Sequence, residues 1–263
     1  MNISIFGLGK LGSCMAAVYA GKGHEVIGCD INEVTVVAIQ QGKAPVVETD
    51  LQTFVSKNQE HLRATTNVNE AIDRSSISFV IVPTPSEPDG IFSLKYVRDA
   101  CKNIGEALKE KNDYHLIVLT STLLPGDCET QIIPTLEQTS EKKCGTDFGF
   151  CYSPLFIAIG SVIHNLLYPD FFLIGENDAS SGEMLERFYQ SVSDNQAPIK
   201  RMSIPSAELT KISVNSYITM KITFANMLGE VAERIPGVDI DAVTDAIGTD
   251  KRIGKAYLKC GLG

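Results

Sequence analysis

The chain opens with Met1-Asn2-Ile3-Ser4-Ile5-Phe6 and continues directly into Gly7-Leu8-Gly9-Lys10-Leu11-Gly12, and this stretch decides the fold. The first six residues are typical of a buried strand, and the residues from about Lys10 to Ala20 are typical of a helix. A second apolar run, Glu25–Cys29, ends at the carboxylate of Asp30. A strand, a glycine turn, a helix, a second strand and a carboxylate in this order predict a dinucleotide-binding unit.

Each glycine of the turn has a separate physical role. Gly7 permits the sharp turn after the strand, Gly9 lets the backbone approach a pyrophosphate, and Gly12 lets the helix pack closely on the strand. The first amides of the helix point at the phosphates. The predicted cofactor contacts in this turn are Gly7, Leu8, Gly9, Lys10, Leu11 and Gly12.

Asp30 predicts which dinucleotide is bound. A carboxylate at the tip of the second strand accepts both ribose hydroxyls and repels a 2′-phosphate. No arginine occupies the next three positions, Ile31, Asn32 and Glu33, to reverse that preference. The sequence therefore predicts NAD as the cofactor rather than NADP.

Composition and charge limit the partners. The 263 residues are 44% hydrophobic, which is enough for a sizeable core, and their net charge of -9 argues against nucleic acid or an anionic membrane as a partner. The seven cysteines include no CxxC pair and no metal-ligand spacing, so we expect them to be mostly buried in a reducing compartment, and we expect no metal site. The first strand begins at residue 2, and no apolar run approaches the length of a membrane span. We expect a cytoplasmic protein.

Strand-length apolar runs alternate with helical stretches along the chain. This alternation predicts the α/β class, with a Rossmann-like, doubly wound parallel sheet and helices on both faces. The predicted strands are residues 3–6, 26–29, 62–65, 77–82, 116–120 and 148–152, and residues 171–175 and 199–202, with a helix near 180–191, extend the same sheet.

The pattern changes near residue 205. From Ala207 to about Arg234 the apolar spacing predicts a helix longer than any other in the chain, and a shorter helix is predicted from about Ile240 to Ile247. We therefore expect an NAD-binding domain over residues 1–204, followed over 205–263 by the long helix and a truncated, partial helical domain. A helix of this length exceeds what one small sheet needs, and its apolar residues predict a homodimer. They include Ile212, Ile218, Ile222, Phe224 and Leu228.

Two proline-containing turns follow predicted strands. Val82-Pro83-Thr84-Pro85 comes after one strand, and Ser121-Thr122-Leu123-Leu124-Pro125-Gly126 comes after the next. Ligands of an open parallel sheet bind outside the carboxyl ends of its strands, so both turns are predicted to flank the cofactor, although prolines that merely stop strands remain an alternative. The predicted cofactor contacts in these turns are Val82, Pro83, Thr84, Ser121 and Thr122.

Six motifs together resemble the UDP-glucose/GDP-mannose dehydrogenase family over the whole chain. In order they are GLGKLG from Gly7, VPTPS from Val82, STLLPG from Ser121, the stretch from Tyr152 to Gly175, AELTK from Ala207 with Asn215, and DKRIG from Asp250. The resemblance implies an NAD-dependent nucleotide-sugar 6-dehydrogenase of the UDP-glucose type, with a part in polysaccharide biosynthesis. Such an enzyme takes a sugar primary alcohol to the acid with two NAD, through a cysteine-bound thiohemiacetal and thioester.

The resemblance also implies roles for individual residues. Lys211 matches the lysine that stabilises oxyanion charge, and Asn215, four residues later on the same helix face, matches its partner. Thr122 matches the threonine near the nicotinamide and the hydrolytic water. Arg252 matches the arginine that reaches across a dimer toward the substrate, and Phe156 is the expected substrate contact in the YSPLF segment. A solvated lysine, a surface asparagine and a plain surface arginine are the structural alternatives.

Two departures from the family pattern bear on activity. Leu155 stands where many members carry a glutamate that assists acid-base chemistry. The family's nucleophilic cysteine and its C-terminal nucleotide-binding domain follow the segment resembling residues 258–263, so we expect this chain to be a fragment that is inactive by itself. Cys260 precedes the position of that nucleophile and is expected to be structural.

Two other interpretations remain open at this point. A 3-hydroxyacid dehydrogenase also joins a GxGxxG domain to a long helix with a lysine and an asparagine one turn apart, and it would have a complete active site within these residues and no need of a catalytic cysteine. The VPTP stretch and the stretch from YSP to LYPD argue against this alternative. A non-catalytic NAD-binding paralogue is favoured by Leu155. The sequence does not decide which nucleotide sugar is bound.

Overall fold

A computed structural model describes residues 1–157 and 160–262. Within these residues, eight strands form one sheet. They are β1 Asn2–Phe6, β2 Glu25–Cys29, β3 Leu62–Thr65, β4 Ile77–Val80, β5 Leu116–Leu119, β6 Gly149–Tyr152, β7 Phe172–Glu176 and β8 Ile199–Ser203. Their order across the sheet is β3-β2-β1-β4-β5-β6-β7-β8, and its first six positions follow the order of dinucleotide-binding sheets.

Ten α-helices and one π-helical turn accompany the strands in the described part of the chain. The helices are α1 Lys10–Gly21, α2 Glu33–Gln40, α3 Leu51–Lys57, α4 Val68–Asp73, α5 Lys95–Glu110, α6 Ile133–Ser140, α7 Val162–Leu167, α8 Ala179–Val192, α9 Ile204–Ala232 and α10 Ile240–Thr249. The π-helical turn, Cys128–Ile132, leads directly into α6.

The core lies on both faces of the sheet. In β5, Leu116 and Val118 join one hydrophobic cluster, whereas Ile117 and Leu119 join the other, because successive side chains of a strand point to opposite faces. The first cluster includes buried residues of α1, α2, α3, α7 and α8, and the second includes those of α4, α5 and α6. The predicted fold, a Rossmann-like sheet covered by helices on both sides, is confirmed.

One pair of strands departs from the parallel expectation. Strands β1 to β6 are mutually parallel where they pair, and β7 pairs with β8 in parallel, but β6 and β7 run antiparallel. The β6–β7 pairing is short and consists of Cys151 opposite Glu176 and Tyr152 opposite Gly175. A short apolar run such as the one in β7 shows burial but carries no information about strand direction.

Several boundaries also differ from the sequence expectations, for local reasons. Strand β4 ends at Val80 rather than Val82, because the Val82 N–H donates to the Ser121 hydroxyl instead of continuing the ladder. Helix α9 begins at Ile204 rather than Ala207, with Pro205 in its first turn. Proline is accepted there, since its missing N–H would have no partner within the helix.

The chain divides into two compact units, Met1–Leu209 and Thr210–Gly263, and α9 passes from the first into the second. The first unit contains the whole sheet. In the second unit the C-terminal segment pairs with α9, since Asn226 exchanges two hydrogen bonds of 2.9 Å with the backbone of Gly261. None of the described helices combines the length and the apolar character needed to cross a membrane.

Candidate functional site

The glycine turn between β1 and α1 has the backbone geometry that its sequence predicts. Gly7 has a φ of +97°, and a Cβ on it would lie 2.3 Å from the carbonyl oxygen of Ile81. A Cβ on Gly12 would lie 1.8 Å from the carbonyl oxygen of Gly7. Any side chain at either position would displace backbone, so both glycines are required for the strand and the helix to approach each other.

Gly9 has a different environment. Its φ of -67° is ordinary, and a Cβ built on it meets no described atom within 4 Å. Gly9 is also the N-cap of α1, and no side chain among the described residues caps this helix. Open space beside Gly9 and an uncapped helix start are the arrangement that binds a phosphate at a helix N-terminus.

Asp30 is connected to the glycine turn by hydrogen bonds. One carboxylate oxygen accepts from the Leu8 N–H at 2.6 Å, and the other accepts from the Asn32 N–H at 2.8 Å. Each carboxylate oxygen has a second lone pair, so capacity remains for ribose hydroxyls. Asp30 therefore also fixes the turn after β1, a role that sequence reasoning missed.

The turns after β4 and β5 are joined to each other. The buried hydroxyl of Ser121 donates to the Val82 carbonyl at 2.7 Å and accepts from the Val82 N–H at 3.0 Å. Pro83 is exposed, and Thr84 and Thr122 are half-buried beside this connection. Since β1, β4 and β5 are adjacent and parallel, their three turns meet at one edge of the sheet.

A buried carboxylate that the sequence did not reveal lies beside this edge. Glu48 has a side chain only 1% exposed, and its Oε2 is 3.9 Å from Nζ of Lys10 in the glycine turn. Its Oε1 accepts from the Val162 N–H at 3.3 Å, and the neighbouring Thr49 hydroxyl donates to the Gly160 carbonyl at 3.0 Å. The contacts of Glu48 and Thr49 with Val162 and Gly160 join residues more than 100 positions apart, so no local sequence signal could have found them.

The expected substrate segment after β6 is described in part. Leu155 is half-buried and packs against the hydrophobic cluster that contains α1. The Phe156 ring lies 4.7 Å from that of Phe171, centroid to centroid. Ala158 and Ile159, within the Tyr152 to Gly175 motif, lie outside the described residues.

The remaining expected residues belong to the second unit. Lys211 is half-buried on α9, and this burial lowers the pKa of its ammonium group. Asn215, one helical turn later, is exposed. Arg252 is 89% exposed and forms a 2.6 Å ion pair with Asp250, which raises the pKa of the guanidinium.

Most of the cysteines have the burial of structural residues rather than the exposure of a nucleophile. Burial raises the pKa of Cys14, Cys29 and Cys144 to about 12, so these thiols remain protonated at neutral pH. Cys260 is exposed, and its Sγ donates to the Ala225 carbonyl at 3.2 Å. Among the residues that the structure describes, no group of three or more His, Cys, Asp or Glu side chains is arranged to hold a metal ion.

Comparison with known proteins gives the same assignment along the whole chain. Residues 1–193 match the NAD binding domain of the UDP-glucose/GDP-mannose dehydrogenase family, and residues 205–263 match its central domain. The chain is 38% identical to GDP-mannose 6-dehydrogenase of Azotobacter vinelandii, over 100% of this chain and 60% of the relative. It is 34% identical to UDP-glucose 6-dehydrogenase AglM of Haloferax volcanii, over 100% of this chain and 61% of the relative.

A solved structure agrees with these matches. The crystal structure of a ternary complex of GDP-mannose dehydrogenase from Pseudomonas aeruginosa superposes with a TM-score of 0.91 at 38% identity, over 95% of this chain and 57% of that one. The chain thus spans about 60% of the length of the relatives it matches. The match to an NAD binding domain confirms NAD as the cofactor. The chain belongs to the UDP-glucose/GDP-mannose dehydrogenase family.

Proposed function

We propose that this chain supplies the NAD-binding part, and a portion of the substrate site, of a nucleotide-sugar 6-dehydrogenase that oxidises a sugar primary alcohol to the acid. The uncapped N-terminus of α1 beside the open Gly9 position is the observation that carries the proposal. The same turn is connected to Asp30, and the family match covers both units. The substrate class is a nucleoside diphosphate sugar, and the candidates to test are GDP-mannose and UDP-glucose.

In this proposal the first unit binds the cofactor along the carboxyl edge of its sheet. The amides of Lys10, Leu11 and Gly12 hold the pyrophosphate, and Asp30 accepts hydrogen bonds from the adenosine ribose. The two joined turns, Val82 to Thr84 and Ser121 to Thr122, face the nicotinamide end. NAD supplies hydride acceptance when bound, and these residues orient it and exclude water.

The second unit contributes the side chains that stabilise negative charge on the substrate during oxidation. The Lys211 ammonium stabilises the negative charge that develops on the oxidised carbon's oxygen, and Asn215 donates a further hydrogen bond there. Arg252 is a proposed contact of the second unit to the nucleotide sugar, and Phe156 is a proposed contact of the first unit. The proposal also places the protein in the cytoplasm.

We further propose that the chain forms a homodimer through α9. Five apolar side chains at spacings of three and four residues form an exposed stripe from the middle of α9 to its end, which we call the α9 stripe. Each of them is at least 43% exposed: Tyr217, Met220, Phe224, Met227 and Val231. Of the apolar residues singled out in the sequence, Phe224 belongs to this stripe, whereas the other four are half-buried: Ile212, Ile218, Ile222 and Leu228. Contiguous exposed apolar surface of this kind typically marks an interaction site.

The choice of NAD over NADP tests the Asp30 assignment. Calorimetry should show tighter binding of NAD by the wild-type chain, and Asp30→Asn, which removes the charge and turns one of the two acceptor oxygens into an NH2 group, should reduce the discrimination about tenfold. Glu33→Gln, a charge change at an exposed neighbouring position, is the matched control and should leave the ratio unchanged. Equal affinities of the wild type for the two cofactors would contradict the assignment.

Two glycine substitutions in one turn test where the pyrophosphate lies. Gly9→Ala should keep the melting temperature but weaken NAD binding, because the added methyl group meets no protein atom and occupies the space of the phosphate. Gly12→Ala should instead lower the melting temperature, because its Cβ would collide with the Gly7 carbonyl. If Gly9→Ala binds NAD as tightly as the wild type does, the pyrophosphate does not lie on this turn.

A second candidate function, a non-catalytic NAD-binding protein, is favoured by one observation. Leu155 is packed against the hydrophobic cluster that contains α1 and offers no acid-base group at the position where the family resemblance leads us to expect a glutamate. The two candidates differ in ligand binding. When this chain is joined to the C-terminal nucleotide-binding domain of the family, a dehydrogenase should bind GDP-mannose or UDP-glucose in the presence of NAD, whereas the non-catalytic protein should bind NAD alone.

A further inference from the structure

Glu208 is a fully buried carboxylate in the first unit that no step of the proposed chemistry uses. It lies in the second turn of α9 and has no solvent exposure. Its Oε2 accepts from the Gly126 N–H at 2.6 Å, and its Oε1 accepts from the Cys128 N–H at 3.0 Å. Both donors belong to the segment that follows β5, about 80 positions earlier in the chain.

That segment, Ser121 to Cys128, which we call the β5 loop, is fixed at both ends. At its start, Ser121 is bonded to both backbone groups of Val82. At its end, the two amides bonded to Glu208 flank Asp127, which itself accepts from the Leu124 N–H at 2.9 Å. Gly126 has a φ of +95°, a conformation that holds its N–H toward the carboxylate at little cost only because it is glycine.

The helix behind the carboxylate is held tightly in place. Ile204 and Ala207 in the first turn of α9 are buried against β7. A Cβ on Gly175 would lie 2.7 Å from the Ala207 Cβ and 3.0 Å from the Ile204 Cα, so the helix touches the strand backbone itself. Glu208 therefore projects from a rigid support.

Burying a carboxylate stabilises the fold less than burying an apolar side chain of similar size would. Burying an ionised group costs several kcal/mol unless hydrogen bonds replace its hydration, and apolar groups of similar volume often stabilise such a site better. The two backbone amides replace part of that hydration for Glu208. The Cys128 side chain lies beside the carboxylate as well, and burial, with the negative charge of Glu208 adding to it, raises the pKa of the Cys128 thiol.

The helix that follows the β5 loop has an irregular start. Its first turn, Cys128–Ile132, is π-helical, and Pro134, two residues later, has no N–H to donate to the Thr130 carbonyl. Local π-helical turns occur frequently at functional sites. Local hydrogen bonds, such as that from the Thr130 N–H to the Gly126 carbonyl at 3.0 Å, hold the end of the loop, and Glu208 adds two contacts from a helix that is distant in the sequence.

We propose that Glu208 is a positioning residue that holds the β5 loop, and with it Ser121 and Thr122, in place for the nicotinamide end of NAD. The inference rests on the proposed placement of that end at the two joined turns. It does not involve the adenosine end, which depends on the glycine turn and Asp30. Loss of the Glu208 contacts should consequently affect one end of the cofactor and spare the other.

Binding of NAD compared with ADP-ribose, which lacks the nicotinamide, tests this proposal. In Glu208→Gln one acceptor becomes an NH2 group that faces a backbone N–H, so NAD affinity should fall about tenfold while ADP-ribose affinity changes less than about twofold. The matched control is Glu129→Gln, at an exposed carboxylate in the π-helical turn that Glu208 contacts, and this variant should bind both ligands as the wild type does. A purely structural role would weaken both ligands equally and would overturn the proposal.

Two further measurements keep the test decisive. Glu208→Asp keeps the charge but shortens the side chain, and it should show the same selective loss of NAD binding if Glu208→Gln fails to fold. In the wild type, the Gly126 and Cys128 amides should exchange with solvent at least on the order of 100-fold more slowly than unstructured amides, and exchange at the unprotected rate would overturn the proposal. A wild-type chain that binds neither NAD nor ADP-ribose would contradict the proposed function instead.

Discussion

The two units of the chain bury their apolar residues to very different extents. In the first unit, rings such as Phe79, Phe150 and Phe188 are completely buried. In the second unit, Ala225 and Leu258 are the buried hydrophobic residues among those described, and the α9 stripe is exposed. The first unit therefore builds a core from its own side chains, whereas the second presents apolar surface that requires another surface to cover it.

The sharpest test of this difference compares two phenylalanines. Phe79 lies 5.4 Å from Tyr19 and 5.2 Å from Phe188 between ring centroids, so Phe79→Ala should lower the free energy of unfolding by about 4 kcal/mol. Phe224→Ala, at a side chain 43% exposed, should lower it by less than about 1 kcal/mol. Urea unfolding of both variants decides the matter, and equal losses would remove the distinction between the units.

A second test uses the buried polar network of the first unit. His115 Nε2 lies 2.7 Å from the Ser78 hydroxyl, which lies 2.6 Å from that of Ser4. Burial, with the positive charges of Lys111 and Lys142 adding to it, lowers the pKa of His115 to about 3, against a partial opposing effect of the Ser75 backbone. The neutral imidazole is therefore the form that the folded state accepts.

The sign of the pH dependence follows from that lowered pKa. The unfolded chain binds a proton at His115 below about pH 6.5 and the folded chain does not, so this stabilisation is complete above pH 6.5 and is lost as the pH falls toward 3. Between pH 6.5 and 4.5 the wild type should lose about 2 to 3 kcal/mol more unfolding free energy than His115→Gln. The exposed His164→Gln is the control, and an acid response that His115→Gln shares in full would contradict the assignment.

The smallest expected effect concerns the exposed stripe. Phe224→Ser should weaken self-association about tenfold, by removing a central apolar contact, while changing the unfolding of the first unit little. Thr223→Ser, at an exposed position next to it, is the control. Sedimentation velocity across micromolar concentrations measures both, and a wild type that stays a monomer of 28.6 kDa would contradict the homodimer.

Local sequence patterns predicted most of the fold, because buried strands and helices require apolar residues at regular spacings. The strand from residue 62 to 65 and the glycine turn at residues 7–12 are found where the apolar runs and glycines place them. The antiparallel entry of β7 could not be predicted, since an apolar run is the same in either direction. The early end of β4 depends on a hydroxyl 39 residues away.

The candidate site could be predicted only where the residues that form it are close together in the sequence. The tight turn and the close helix contact at Gly7 and Gly12 could be predicted from the sequence, because only glycine fits these two positions. The hydrogen bonds that hold the site together were invisible, since Asp30 bonds to the turn 22 residues earlier and Glu208 to a loop about 80 residues earlier. In the sequence alone, a buried carboxylate that holds a loop looks the same as an exposed one, because its hydrogen-bond donors are brought to it only by the fold.

The short pairing between β6 and β7 has a consequence for cold stability. Two opposed residue pairs join β7 to β6, and aromatic rings add to this attachment. Phe172 of β7 stacks on Tyr189 of α8 at 4.1 Å, and the neighbouring Phe188 lies 4.9 Å from Tyr19 of α1. Hydrophobic association weakens on cooling, whereas a long ladder of backbone hydrogen bonds depends on it less. We expect β7 and β8 to detach first near freezing, so that the chain unfolds in the cold from this border of the sheet.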